Sequence, residues 1–486
     1  MKKMETLLLL ILTIYFGAAC NKKESGQVKI SVHATGLKNL KVQAFTSDML
    51  SMEPVVISES VLDSSGNAVL EFKSDHPVLG FVKIGDLEAS AFSAPGDEFK
   101  IILDSLQKPE GIRYEGDEAD VNDYIVKCWA VRLRLDKVND KYYFQLEQDE
   151  FLTVKDSLQA NYERLYTLLK EKTTLDPELD KVLEIQQKMN ITYFVHNYVR
   201  SKYGSQNEIP ESIKSIIDKV PDDSLALKYK MSAYSLVVNA FLESRIYTPL
   251  FREYKDLSPD SINGMMPALA VEKIEKSDYP EFLKEFLFAK NLNNYLIFNG
   301  ITPEVNSIYL KFKKTYKDED YLSALKKSYD KWLAIGPGKP APDFSADTPD
   351  GKKISLSDLK GKVVYMDVWA TWCGPCKTEL PFSRKIQKDF EGNDQVTFLY
   401  VSIDESIPDW HNMLKKDKDF VGIHVNQQQH QQPGAIWESY LMTGIPRYVL
   451  IDADGKIVQS NASRPSSGKV TGEIKMLLNQ KTLVSK

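Results

Sequence analysis

Cysteine is scarce in this chain, with four among 486 residues. Such sparing use excludes a small disulfide-stapled scaffold. Histidine is scarce too, at six scattered residues, and His430 in "NQQQHQQPG" lacks the paired ligand spacing of a metal site. That stretch reads as a polar surface loop. Beyond the N-terminus no run reaches roughly 18 consecutive apolar residues, so no later segment is expected to span a membrane as a helix. Long blocks of like charge are also missing, and a net charge of −6 is mild, which makes nucleic acid a poor partner. No fixed repeat period supports a solenoid. What is present is a chain 43% hydrophobic and 27% charged, able to bury a sizeable core and long enough for about three domains.

The first residues, "MKKMETLLLLILTIYFGAAC", place Lys2 and Lys3 before an apolar run from Leu7 to Ala19. At about 13 residues that run suits the h-region of a signal peptide and is too short for a bilayer. Export is therefore expected. Gly17, Ala18 and Ala19 before Cys20 resemble the lipobox of bacterial lipoproteins, although Gly17 stands where that pattern usually has Leu. The resemblance implies a leader over 1–19, cleavage, and acylation of Cys20 as a lipid anchor; an ordinary signal peptide with an incidental cysteine is the alternative. Residues 20–26 read as a tether.

Three textures follow. Residues 27–115 alternate in short segments such as "QVKISVHA", "NLKVQAF" and "EFKIIL", separated by turn residues, which predicts an all-β sandwich-like accessory domain. Residues 116–333 carry long helical periods broken at Pro210, Pro221, Pro259, Pro280 and Pro303, which predicts an all-α helical domain. Its aromatic residues read as core, and Cys128 in "YIVKCWAVRL" as a buried structural thiol. The Pro- and Gly-rich "AIGPGKPAPDF" then makes a linker, and residues 334–486 alternate strand and helix, which predicts an α/β layer.

Two of the cysteines stand together in "WATWCGPCKTELP". A cysteine in the first turn of a helix sees unpaired N–H groups and the positive end of the helix dipole, which favour thiolate. Cys373 is thus the expected nucleophile, and Cys376, one turn on, the thiol that resolves a mixed disulfide. Pro375 costs no hydrogen bond in a first turn. Trp372 covers one side of the pair. A zinc site needs two further ligands at suitable spacing, and these are missing. Asp367 interrupts an apolar strand; buried there, its carboxyl is raised and can exchange a proton with Cys376, whereas at a strand end it would reach solvent. Glu379 is a second proton acceptor or a surface charge near Lys377. Ile445-Pro446 fits a cis turn that leaves the Ile445 backbone free for an extended substrate, or a trans proline opening a strand.

Asp367, Trp369, "WCGPC" and Ile445-Pro446 together resemble thioredoxin; "KPAPDF", Lys377, Glu379 and Pro381, with an extra helix and strand before Ile445, look like its membrane-anchored relatives, the TlpA and ResA group. The likeness covers residues 336–486. It implies a C-terminal α/β thioredoxin-like domain and a thiol-disulfide oxidoreductase in which Cys373 is nucleophile, Cys376 resolver, Asp367 and Glu379 proton-handling carboxylates, and Trp372, Gly374, Pro375, Ile445 and Pro446 the substrate groove. The redox-active disulfide itself replaces any cofactor. Implied partners are disulfide-bearing exported client proteins and a membrane thiol electron donor, on the periplasmic side of a bacterial membrane. Peroxiredoxins share the entry to this layer, but their pattern needs Pro and Thr where Met366 and Ala370 stand. Gly-Pro between the cysteines is the dipeptide of thioredoxin, whose potential of about −270 mV lies at the reducing end, so reduction is the expected direction. The competing reading is a client-binding lipoprotein dominated by its β and helical parts.

Overall fold

The computed structural model describes residues 26–104, 111–204, 209–217, 223–257, 259–427 and 435–484. The expected leader, Cys20, most of the tether, Pro221 and the His430 loop lie outside them. The chain forms two compact units, one of Met1–Thr248 with Tyr279–Leu283, the other of Pro249–Asp278 with Lys284–Lys486. No helix among the described residues is long and apolar enough to cross a membrane.

In the first unit, strands β1 (Gln27–Ala34), β2 (Lys41–Ser47), β3 (Pro54–Val61), β4 (Asn67–Lys73), β5 (Val78–Ile84), β6 (Leu87–Ser93), β7 (Glu98–Leu103) and β8 (Ile112–Gly116) build two sheets, ordered β4-β1-β7-β8 and β3-β2-β5-β6. Val28, Ile30 and Val32 of one sheet share an apolar core with Val42, Val82 and Ile84 of the other, as the alternation of strand side chains requires. Then come α1 (Ala119–Arg134), a short ribbon of β9 (Lys137–Val138) and β10 (Lys141–Tyr142), α2 (Gln148–Lys172), α3 (Pro177–Lys202), α4 (Glu211–Ile217), α5 (Ser224–Lys228) and α6 (Ser232–Phe241). Asp176 caps α3 by accepting from the amides of Glu178 and Leu179, with Pro177 in the first turn. The aromatic residues are core: Phe151 stacks on Tyr198 at 3.7 Å between centroids, and Tyr143 on Phe194 at 4.2 Å. Cys128 is buried in α1.

Next along the chain come α7 (Thr248–Glu253), α8 (Pro259–Glu275), α9 (Glu281–Asn299), α10 (Pro303–Thr315) and α11 (Glu319–Ala334), which belong to the second unit apart from Thr248 and the first turn of α9. Leu283, Phe286, Leu287, Ala289, Leu292 and Leu296 bury most of the apolar surface of α9, while Phe298 near its end stays exposed. Its C-terminus turns at Gly300, φ +74°, where a Cβ would meet the Trp332 ring at 2.7 Å. The α/β part carries β11 (Ser345–Asp347), β12 (Lys353–Ser355), β13 (Val363–Trp369), α12 (Gly374–Asp389), β14 (Val396–Ser402), α13 (Ile407–Lys416), β15 (Ile423–Asn426), α14 (Ile436–Ser439), β16 (Arg447–Ile451), β17 (Ile457–Gln459) and α15 (Val470–Val484). Its sheet runs β12-β11-β15-β14-β13-β16-β17. Strands β13, β14 and β15 are parallel, while β16 and β17 are antiparallel to their neighbours. Every residue of β13 is buried. Val363 and Tyr365 pack with α12 and α15, while Val364, Met366 and Val368 pack on the opposite face with α13 and α14.

The Pro- and Gly-rich linker is held in place: Gly338 donates to the Ile457 carbonyl at 2.7 Å, Ile457 to the Lys339 carbonyl at 2.8 Å, and Ala341 to the Gly455 carbonyl at 2.9 Å. It is pinned along the β16–β17 hairpin. Proline lowers the entropy of such a segment without using its carbonyls, which remain free to accept.

Candidate functional site: a dithiol pair at a helix start

Strand β13 ends at Trp369, and the chain must turn before α12 can begin. Asp404, just beyond β14, holds that turn: its carboxylate accepts from the Thr371 amide at 3.1 and 3.0 Å, from the Thr371 hydroxyl at 2.7 Å and from Ser402 at 2.8 Å. Cys373 follows as the N-cap of α12, and its sulfur accepts from the Cys376 amide at 3.1 Å. Pro375 lies in the first turn, where its missing N–H leaves no gap. Cys373 and Cys376 form a disulfide with their Cα atoms 5.3 Å apart. Cys373 is 4% exposed and Cys376 2%, so both residues of the pair are buried. Trp372, 65% exposed, stands out from the turn with Gly374 and Pro375.

Asp367 belongs to the face of β13 that carries Val363 and Tyr365, so it points toward α12, which starts with the dithiol. It is 2% exposed, and its Oδ1 has no hydrogen-bond partner among the described residues. Burial holds this carboxyl well above the ordinary carboxylate range, and the charge of Glu379 pushes the same way. The solvent-reaching alternative for Asp367 is thereby excluded. Glu379, one turn after Cys376, is buried as well, not a surface charge beside Lys377. Its oxygens accept from the Ser466 amide and hydroxyl, both at 2.9 Å, and Arg464 lies 3.9 Å away.

The Ile445-Pro446 peptide is cis. Because Val368 pairs with Arg447, Pro446 sits beside the end of β13 where the dithiol turn begins, and Ile445 packs against the cluster that includes both cysteines. Arg447 points to the other face. Buried, it donates to the Ser460 carbonyl at 2.9 Å and the Phe298 carbonyl at 3.3 Å, with its guanidinium 5.2 Å from the Trp332 ring centre. Tyr448 pairs in register with Asp367.

Sequence reasoning picked out the dithiol, both carboxylates and the proline. It missed Asp404, Arg447, Tyr448, Arg464 and Ser466. A signal existed for two of them: Asp404 ends the apolar run "VTFLYVSID" as Asp367 interrupts its own, and Arg447 opens an otherwise apolar strand. For Ser466 and Arg464, in a polar turn, no local signal exists.

A sulfur at a helix start, a second one turn on, a buried carboxyl behind them and a cis-proline beside them can exchange a dithiol for a disulfide. A family profile described as Redoxin matches residues 336–472. Thiol-disulfide oxidoreductase ResA of Bacillus subtilis is 35% identical over 126 residues, which are 26% of this chain and 67% of that protein. ResA of Bacillus thuringiensis (strain Al Hakam) is 31% identical over 146 residues, 29% of this chain and 78% of that one. Among solved structures, the thioredoxin domain of a thiol-disulfide oxidoreductase from Bacteroides vulgatus is 30% identical, covers 29% of this chain and 99% of its own, and has a TM-score of 0.26.

Proposed function

Because the chain belongs, through its C-terminal domain, to the ResA family of thiol-disulfide oxidoreductases, we propose that it reduces or rearranges disulfides of exported client proteins from a lipid-anchored position outside a bacterial membrane. The observation that carries this reading is the Cys373–Cys376 disulfide at the start of α12, with a cis-proline beside the end of β13 and, on the same strand, a carboxyl whose affinity for a proton burial raises. In the reduced protein the Cys373 thiolate attacks one client sulfur, and the other client sulfur leaves with the electron pair of the broken bond. Cys376 then gives up its proton, attacks the Cys373 sulfur and expels the client as a dithiol. Two electrons and two protons reach the client, and the Cys373–Cys376 disulfide remains.

Asp367 serves the second half of this cycle: on the α12 side of β13, it takes the Cys376 proton when that thiol must become a nucleophile. Glu379, held by Ser466, is the second acceptor. Gly374 and Pro375 between the sulfurs support the reducing direction, which requires an external thiol donor to restore the dithiol. The anchor in this reading is acylation at Cys20, which the lipobox-like Gly17-Ala18-Ala19-Cys20 implies, since two acyl chains hold a protein stably at a bilayer.

Cys373→Ser is expected to abolish insulin-type disulfide reduction, and Cys376→Ser to accumulate mixed disulfides with clients, read on non-reducing gels. Full turnover by Cys373→Ser defeats the mechanism. A redox titration placing the pair at the strongly oxidising end reverses the direction but not the chemistry.

A further inference from the structure

A concavity of about 340 Å³ lies where the cis-proline loop meets the helices of the second unit, within the size range of ligand sites. The redox domain contributes Pro446, Tyr448, Arg464 and Lys469. Opposite them, α9 contributes Tyr295 and Asn299, and Thr302 stands at the cap of α10. One wall of the space beside the cis-proline therefore comes from helices outside the α/β layer.

Two features indicate what this groove holds. Tyr448, 2% exposed, lines it, yet its hydroxyl has no hydrogen-bond partner among the described residues. A buried donor left unpaired is costly, and a ligand oxygen removes the cost. Charge supplies the sign. Arg464 and Lys469 line the groove, while none of its described lining residues is acidic. The carboxylate near Arg464 is Glu379, at 3.9 Å and already engaged by Ser466, in a chain whose net charge is −6. Two cations gathered here against that background select an anion. The wall is also rigidly mounted: Arg447, directly after Pro446, binds the Phe298 carbonyl at the end of α9, and Trp332 packs between that arginine and Gly300.

We propose that this groove binds an acidic, extended segment of the client next to its disulfide, so that α9 and α10 take part in choosing which disulfides reach Cys373. The inference rests on the redox reading above. Charge enters through Arg464 and Lys469, the hydroxyl of Tyr448 meets a carboxylate or carbonyl oxygen, and Asn299 and Thr302 face the segment from the helical side.

The test uses the full chain, reduced at Cys373 and Cys376, in single turnovers against two synthetic peptides. Each peptide has one internal disulfide, and they differ only in Glu or Gln residues flanking it. Two electrons pass to the peptide in each turnover, leaving a peptide dithiol and the enzyme disulfide. The Glu peptide is expected to react roughly three- to tenfold faster at low salt, the size of two solvent-accessible ion pairs. At about 0.5 M salt the ratio should approach one. R464Q/K469Q should bring it near one at low salt, and N299D should lower it from the helical side. Equal rates for both peptides with the unaltered chain overturn the inference while leaving the redox reading intact. Reaction with neither peptide overturns both. An unchanged ratio in N299D removes the helices from the groove.

Discussion

Asp367 is an acid in a place where ionisation is costly, and that is the source of its use. Burial raises its carboxyl well above the ordinary range, so the folded protein keeps a proton that the unfolded chain releases. The stability linked to this group is therefore complete below the unfolded carboxylate pKa and is lost as pH rises through the higher native value. Asp367→Asn stays neutral and escapes the loss. Its urea midpoint is expected to match that of the unaltered protein at about pH 3 and to exceed it increasingly as pH rises. The same substitution should slow release of the mixed disulfide about 100-fold, because Cys376 loses its proton acceptor. Parallel midpoints across the pH range would show that Asp367 ionises freely in the fold. Cys128 illustrates the opposite use of burial: its thiol is pushed up to about 12 by desolvation, with the Tyr124 hydroxyl pulling the other way. Two cysteines at a helix start are reactive, and one in the middle of a buried helix face is not.

At the level of elements, the site depends on how strands and helices end. The Asp404 carboxylate holds the turn that delivers Cys373 to the cap of α12, and the Gly300 turn lets Trp332 pack where α9 stops. Gly300→Ala combines a left-handed backbone with a Cβ pressed to 2.7 Å from the Trp332 ring. It is expected to cost more than about 1 kcal/mol, read as a lower urea midpoint. A midpoint within error of the unaltered chain would show that α9 and α11 shift apart freely. Elements also mark where sequence reading was weakest. Strand β6, "LEASAFS", is buried along nearly its whole length, so it lacks the alternation that reveals a half-exposed strand. Strand β8, "IRYEG", has Ile112 as its one buried residue, and β11 spans three residues; neither is long enough to show a period.

On the scale of the whole molecule, the redox domain does not begin at a loose hinge. Residues 338–341 are hydrogen-bonded to the hairpin near Gly455 and Ile457, and Trp332 of α11 and Ile335 just after it belong to the same apolar cluster as both cysteines. Limited digestion of the native chain with subtilisin, followed by mass spectrometry, is expected to leave residues 334–344 uncut until the C-terminal domain unfolds, because a protease needs locally open backbone. A first cut within this stretch would show that these hydrogen bonds do not hold it closed. The helices from α8 to α11 thus belong to the compact unit that contains the dithiol, and a redox domain trimmed at residue 336 would lose the wall they supply to the groove.

What the sequence determined by itself is local and chemical. Two cysteines three apart at the start of a helix, a carboxylate inside an apolar strand, and an Ile-Pro pair before another strand are written within a few residues each, as are the three textures that became sheets, helices and an α/β layer. Alternation and helical period report burial along one element, which is why those readings survive translation into space. The tertiary structure alone decided that Glu379 is buried, since its partner Ser466 is 87 positions away, and that Arg447 grips the end of α9, 149 positions before it. It alone set two cations and an unpaired tyrosine hydroxyl around one groove. Such contacts depend on which faces meet across the core, and no periodicity along a single stretch of chain encodes that meeting.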